Sequence, residues 1–442
     1  MTIVLESSKN IMKVSTVNRV KELPIIIDNT WDYNGVNTKQ YTHCFHTYPA
    51  MFIPQVARRL LKEYSSEKDT ICDIFCGSGT ALVESRLLGR NCYGIELNPL
   101  AVLITRAKTR VLNPSHLQEQ YFSILDHIKR FKIDDVDIPK FFNIDFWFKE
   151  NVINDLAKIK ESILGIANEP EREFFLVAFS EAARLASNMR RGEFKLYRIP
   201  EEKLNDYQPD TTAIFRKICE RNIIGIRQFN VEAKNDVWIK VMHADTTKPY
   251  DVPGESVDCI ITSPPYGDSR TTVAYGQFSR LSAQWLGVED EDNRIDTRLL
   301  GGKINRNGKI NFNSEHYEKT IAEIKSIDAR RAGDVETFYI DLHKAILQAN
   351  RILKKDKFFC LVVGNRTVKK VKLPTDMIIS EMCNELGFDT IKIIKRNIPN
   401  KRMPLKNSPT NIKGDLVETI STESIIILKK RFSKKKFFSA ET

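Results

Sequence analysis

At 442 residues the chain is long enough to bury a sizeable core, and its 42% hydrophobic and 28% charged fractions are those of a globular protein rather than a disordered or fibrous one. No apolar run reaches the roughly 18 to 20 residues that span a bilayer, and Glu6 and Lys9 interrupt the opening residues, so no secretory signal forms and a cytoplasmic protein is expected. The formal net charge of +11 favours a polyanionic partner or a lysine-rich solvated surface, while eight cysteines without a Cys-x-x-Cys pair argue against structural zinc and a disulfide framework.

Residues 1–40 show little periodicity beyond Leu23 to Ile27 and read as an arm that packs on the core or on a partner. His43 to Ile53 carries two histidines without a third ligand nearby, so it reads as a packed aromatic loop rather than a metal site. Pro54 fits the first turn of a helix with Val56, Leu60 and Leu61 on one face. Thr70 to Cys76 is a buried-strand pattern that runs into Gly77-Ser78-Gly79-Thr80 and a helix over 81–88. Glycines at such a strand-to-helix turn permit tight backbone geometry and close approach of a ligand. This is not a dinucleotide fingerprint, because Leu82 stands at the third glycine position. The next strand, Asn91 to Leu97, carries Glu96 at its end, where an acid can accept hydrogen bonds from a ribose diol.

From Pro99 to about Asp236 the pattern is helical, with helices expected over 100–107, 116–131, 152–166 and 171–186. This is read as an insertion between the second and third strands of the sheet. Its tail interleaves Arg190, Arg191, Lys195 and Arg198 with Phe194 and Tyr197, which suits phosphates and unstacked bases or, equally, a solvated basic loop. A strand over 237–244 ends in Asp245. A second, over 257–262, feeds Thr262 into Ser263-Pro264-Pro265-Tyr266, where two prolines without N–H donors must stop the ladder. Ser263 and the Pro264 carbonyl are thereby held on a stiff turn at the carboxyl edge of the sheet. Polar, aromatic and glycine-rich residues follow over 267–335, including Lys303, Arg306 and Lys309, and read as a recognition loop or a mobile lid. Helices are expected over 337–353 and 375–386, with strands over 358–363, 390–398 and 424–429. Between the last two lies a proline-broken basic stretch with Lys401 and Arg402, and a lysine-rich run follows residue 429.

At Ser263-Pro264-Pro265-Tyr266 the chain resembles the DNA amino-methyltransferases that use S-adenosylmethionine. The Ser form is similar to the N4-cytosine branch, where Asp or Asn would be usual for N6-adenine. The resemblance implies an α/β, Rossmann-like class I methyltransferase fold: a mostly parallel seven-stranded sheet with an antiparallel last strand, plus the helical insertion. It implies S-adenosylmethionine bound by Tyr48, Pro49, Asp73, Phe75, Gly77, Gly79, Thr80, Glu96, Asp245 and Thr262, with Ser263, Pro264, Pro265 and Tyr266 at the reacting amine. It further implies double-stranded DNA as partner, held by the cations of the insertion tail, of 267–335 and of 395–420, and a flipped target base. No metal is expected, and a cognate restriction endonuclease is the expected companion. The chain then divides into an arm (1–40), a cofactor-binding part (41–111), the insertion (112–236), a catalytic part (237–430) and a basic tail (431–442). An N6-adenine or RNA amino-methyltransferase and a noncatalytic DNA-binding protein are the alternatives. The absence of a Pro-Cys dipeptide argues against methylation at a ring carbon.

Overall fold

Short apolar runs, each stopped by a polar residue or a proline, make the strands of one sheet. The structure, a computed structural model, describes residues 24–268, 272–288, 295–303, 312–398, 406–407, 417–418 and 420–432. The arm before residue 24, the tail beyond 432, and Arg306, Lys309, Lys401 and Arg402 lie outside the described residues. The strands are β1 (Ile25–Ile27), β2 (Thr70–Asp73), β3 (Asn91–Glu96), β4 (Ile239–His243), β5 (Val257–Thr262), β6 (Leu353–Gly364), β7 (Phe388–Asn397) and β8 (Thr422–Lys430). Their spatial order is β1-β7-β8-β6-β5-β2-β3-β4. Every neighbouring pair is parallel except those of β8, which runs antiparallel between β6 and β7. This is the Rossmann-like arrangement of a class I methyltransferase, with its antiparallel last strand.

The sheet has eight strands rather than the expected seven. The added edge is β1, from the segment expected to be part of an arm. It pairs in parallel with β7, and Pro24 opens it by accepting the Ile393 amide through its carbonyl. From β2 the chain steps outward to β3 and β4, then returns to β5 on the other side of β2. Such a reversal opens a crevice at the carboxyl ends of the two central strands.

The two-residue strand repeat sorts side chains to the two faces. Ile71, Cys259, Ile261, Cys360 and Ile425 pack with Val56 and Leu60 of α1 (Pro54–Tyr64) and Leu82 of α2 (Thr80–Leu87). Cys72, Ile260, Phe359, Leu361 and Ile426 face the other way. All eight cysteines are free thiols. Beyond α3 (Pro99–Thr109) the insertion supplies α4 (Pro114–Arg130), α5 (Glu150–Leu164), α6 (Glu169–Ala186) and α7 (Thr211–Glu232). The first three of these fall where periodicity placed them, whereas α7 was not foreseen. Its apolar residues Phe215, Ile218, Ile223 and Phe229 recur at helical spacing, but polar residues and Gly225 dilute the pattern until the neighbouring helices bury it.

The segment 267–335, expected to be loop, contains α8 (Tyr275–Leu286), α9 (Glu315–Ile327) and the start of α10 (Ala329–Ile352). In α8, Phe278, Leu281 and Trp285 lie three or four apart and sink into the insertion core. Helix α10 and α11 (Thr375–Glu385) cover the face opposite α1. Trp285 is fully buried, with Phe141, Phe148 and Phe179 set edge-on around it. Because this aromatic knot joins the insertion to the catalytic layer, Trp285→Ala should lower the unfolding free energy by about 3–5 kcal/mol, measured in urea. A change near zero would show that the two layers do not depend on each other.

Candidate active site

The carboxyl edge at the β2/β5 reversal opens into a cavity. Asp73 ends β2 and is buried; one oxygen, Oδ1, accepts from the Phe75 amide at 3.1 Å and from the Thr262 hydroxyl at 2.6 Å. Burial pushes its carboxyl up to about 7, against the pull of those two donors. Gly77 and Gly79 follow with φ of +50° and +80°, the left-handed region that glycine adopts without strain. Glu96 ends β3 and holds three amides: Gly77 at 2.8 Å, Leu97 at 2.9 Å and Asn98 at 2.8 Å. Burial raises its pKa, and the three N–H donors oppose that rise. One carboxylate thus ties the turn after β2 to the turn after β3.

The roof is the loop before α1. The Tyr48 ring lies over Gly77, stacks on Tyr275 at 5.8 Å between centroids, and meets Phe278 edge-on at 5.7 Å. Its hydroxyl accepts from Asn98 Nδ2 at 3.0 Å, and the same amide donates to Ser279 at 2.7 Å. The insertion clamps this loop from behind. Glu181 of α6 accepts from the Thr47 amide and hydroxyl, both at 3.0 Å, and Arg221 of α7 bonds the Phe45 carbonyl at 2.7 Å and Glu181 at 2.6 Å. His43 bonds Glu84 at 2.9 Å and His46 bonds the Thr47 carbonyl, so both rings are engaged in holding the loop. Among the described residues, no cluster of three or more His, Cys, Asp or Glu side chains could hold a metal.

On the opposite wall stand Ser263 and Pro265, with Asp245 at the β4 end. Burial opposes ionisation of Asp245, but the Thr247 hydroxyl and amide and the Lys248 ammonium outweigh it and hold the carboxyl below its usual range. The Ser263 hydroxyl donates to the Val362 carbonyl at 3.0 Å. Its one proton is committed there, leaving its lone pairs as acceptors. Tyr48, Pro49, Asp73, Phe75, Gly77, Thr80, Glu96, Asp245, Ser263 and Pro265 all line the cavity.

Four expected residues do not line this cavity. Thr262 spends its hydroxyl on Asp73, and a Cβ at Gly79 would meet Thr105 of α3 at 2.6 Å, so that glycine serves helix packing. Pro264 is buried, and Tyr266 is half-buried with its hydroxyl on Glu423 at 2.9 Å. Residues not foreseen at the cavity are Met51 and Phe52 in the roof, Tyr275, and the stretch Arg298 to Leu300. Of these, Tyr275 carried a signal as an aromatic shortly after the active turn; the others carried none.

The basic tail of the insertion forms a small hairpin closed between Met189 and Arg198. Arg190 and Arg191 are exposed and Lys195 is half-buried. Arg198 differs from the expectation of a cation open to DNA: it pairs with Glu201 at 2.5 Å and covers the Phe146 ring at 4.3 Å. Phe194 of the hairpin lies 6.1 Å from Phe278, which itself touches Tyr48, so the hairpin adjoins the cavity wall. Lys303 is exposed.

Three carboxyls facing one cavity, beside a glycine turn and an aromatic roof, suit a ligand with cationic groups and a donor-rich nucleoside. S-adenosylmethionine has both, and the residues fit it. A family model described as DNA methylase matches residues 5–106. The chain is 41% identical over 426 residues to the type II methyltransferase M.MvaI of Kocuria varians, covering 90% of this chain and 93% of that one. It is also 34% identical over 92 residues to the type II methyltransferase M.MjaII of Methanocaldococcus jannaschii, covering 21% and 17%. A third relative, M.BsoBI of Geobacillus stearothermophilus, is 29% identical over 144 residues, covering 30% and 27%.

A folded-state pKa near 7 for Asp73 lies above its ordinary 3.8, so its favourable contribution is complete below the ordinary value and is lost as pH rises towards 7. Asp73→Asn should therefore melt higher than the wild type at pH 8 by a margin that shrinks at pH 4.5, seen in thermal scans. An equal margin at both would remove the raised pKa. Glu96→Ala should weaken S-adenosylmethionine binding in calorimetry by at least about tenfold, the scale of a lost hydrogen bond to a charged group.

Proposed function

Because the chain belongs to the S-adenosylmethionine-dependent DNA amino-methyltransferases, we propose that it methylates the exocyclic N4 amine of cytosine at a specific DNA site. The observation that carries this is the hydroxyl of Ser263, rather than a carboxylate or amide, at the head of the Ser-Pro-Pro-Tyr turn, with its proton given to Val362. Cytosine N4 is a poor nucleophile because its lone pair is delocalised into the ring. The bound S-adenosylmethionine supplies an electrophilic methyl group. Ser263 Oγ and the Pro264 carbonyl accept the two amine hydrogens, favour pyramidal nitrogen and stabilise the positive charge that grows there. Asp73 and Glu96 hold the donor side of the cavity, while Tyr48 and Tyr275 roof it and keep water out. Pro264 and Pro265 fix the turn, so the amine is oriented without a reorganisation cost at the moment of reaction. No covalent bond to the protein is needed.

A duplex hides the amine, so the target base must leave the stack and enter beside Ser263 and Pro265, against the face of Tyr266. Arg190, Arg191, Lys195 and Lys303 are the proposed phosphate contacts among the described residues, and Arg198 stiffens the hairpin that carries the first three. The protein is the modification partner of a restriction endonuclease in this reading, and its product should protect DNA from that nuclease. Among the described residues no helix is long and apolar enough to cross a membrane.

Incubation with labelled S-adenosylmethionine and unmethylated DNA, followed by digestion to nucleosides, should place the label in N4-methylcytidine. Label only in N6-methyladenine, or only in RNA, would reject the assignment. Ser263→Ala should keep cofactor binding and lose turnover by about 10²-fold, the scale of one removed transition-state contact. Paired Arg190→Ala and Arg191→Ala changes should weaken DNA binding and reduce the slope of log affinity against log salt by up to about 2. An unchanged slope would move the DNA to another face.

A further inference from the structure

Strand β8 runs against its neighbours, and its register sets three residues in one row at the sheet's active edge. Glu423, near its start, lies opposite Gly364 of β6 on one side and Arg396 of β7 on the other. Tyr266 is laid across this row. A Cβ on Gly364 would come within 2.7 Å of Tyr266 Cδ2 and 2.9 Å of Cε2, so the ring rests on bare backbone. Its hydroxyl donates to Glu423 Oε1 at 2.9 Å, and the other Glu423 oxygen takes Arg396 Nη1. Arg396 is 2% exposed and is itself held by the Trp31 carbonyl at 2.8 Å and the Asp32 carbonyl at 3.3 Å. The aromatic of the Ser-Pro-Pro-Tyr turn is therefore fixed by a chain of polar contacts that crosses β8 and β7 to the segment just after β1.

The direction of the protons matters more than the anchoring. A phenol has one proton, and Tyr266 gives it to Glu423. Ser263 stands three residues before Tyr266 on the same proline-stiffened turn, and its own proton goes to Val362. With the phenolic proton directed away, Tyr266 cannot occupy the lone pairs of Ser263. We propose that Glu423 is a positioning residue for methyl transfer: by taking the Tyr266 proton and seating its ring on Gly364, it fixes the aromatic face and keeps Ser263 Oγ open as acceptor for the target amine. This rests on the function proposed above.

Glu423→Gln separates this role from plain support. The amide keeps the shape and can still offer oxygen to Arg396, but its NH₂ then faces the phenol, and the Tyr266 proton turns to Ser263. With full-length protein, labelled S-adenosylmethionine and unmethylated DNA, Glu423→Gln should lower kcat by about tenfold, the scale of one hydrogen bond to a charged group. Cofactor affinity in calorimetry should stay within about twofold, less than the cost of any single lost hydrogen bond. The double variant Tyr266→Phe, Glu423→Gln should turn over as fast as Tyr266→Phe alone and faster than Glu423→Gln alone, because no phenolic proton remains to be misdirected. Wild-type turnover in Glu423→Gln, or a double variant slower than both singles, would overturn the proposal. Urea unfolding of the same four proteins reads the contact without substrate: zero coupling between the two changes would overturn it even for a protein that transfers no methyl. If the wild type methylates no DNA while that coupling is present, the proposed function falls instead.

Discussion

One buried carboxylate organises the donor side of this protein. Glu96 stands at the end of β3 and binds amides from the turn after β2 as well as from its own turn. Two strand ends are thereby locked at one spacing, and the glycine turn between them stays open towards the cavity. Burying a charge is costly unless it is hydrogen-bonded, and three backbone donors offset much of that cost here. Asp73, beside it, has only two donors on one oxygen, and its pKa rises to about 7. The fold therefore holds two acids in a region where burial opposes their ionisation. A cationic ligand relieves that penalty on binding, which makes the stability lost in the free protein available as affinity.

The helical insertion is more than an appendage on this edge. Glu181 and Arg221 grip the backbone of the roof loop, and Phe278 of α8 lies between the loop's Tyr48 and the hairpin's Phe194. The proposed DNA-facing hairpin and the cofactor roof thus share one aromatic contact. Side chains in a close-packed core shift together, because a gap of even a fraction of an ångström forfeits contact energy. A hairpin drawn towards a phosphate backbone would press on the same ring that packs against Tyr48.

On the acceptor side the constraint is directional. Ser263 and Tyr266 each give their one proton to a fixed acceptor, the Val362 carbonyl and the Glu423 carboxylate. Hydroxyl groups can serve as either partner, so an acceptor role has to be enforced by neighbours. The Val362 carbonyl does this for Ser263, and in the role proposed above Glu423 keeps the Tyr266 proton from Ser263. The antiparallel strand β8 is what brings Glu423 to the active edge, which gives that strand a chemical as well as a topological purpose.

The chain by itself determined the local parts of this site. Asp73, Glu96 and Asp245 close apolar strand runs, two glycines follow the first, and two prolines stop the last at Ser263-Pro264-Pro265-Tyr266; each depends on backbone propensities a few residues long. The order of those segments also carried the sheet topology, because crossovers in such folds follow few paths. Tertiary structure alone decided the rest. The Glu181 and Arg221 clamp, the burial of α7 and α8, and the added strand β1 depend on partners far along the chain. So do the withdrawal of Thr262 and Gly79 from the cavity wall and the pairing of Arg198. The Tyr266 to Glu423 bond joins residues 157 apart, through a register that only the assembled β6, β8 and β7 define. Periodicity reports which face of an element is apolar, whereas the neighbour that covers it is fixed by packing among many elements at once.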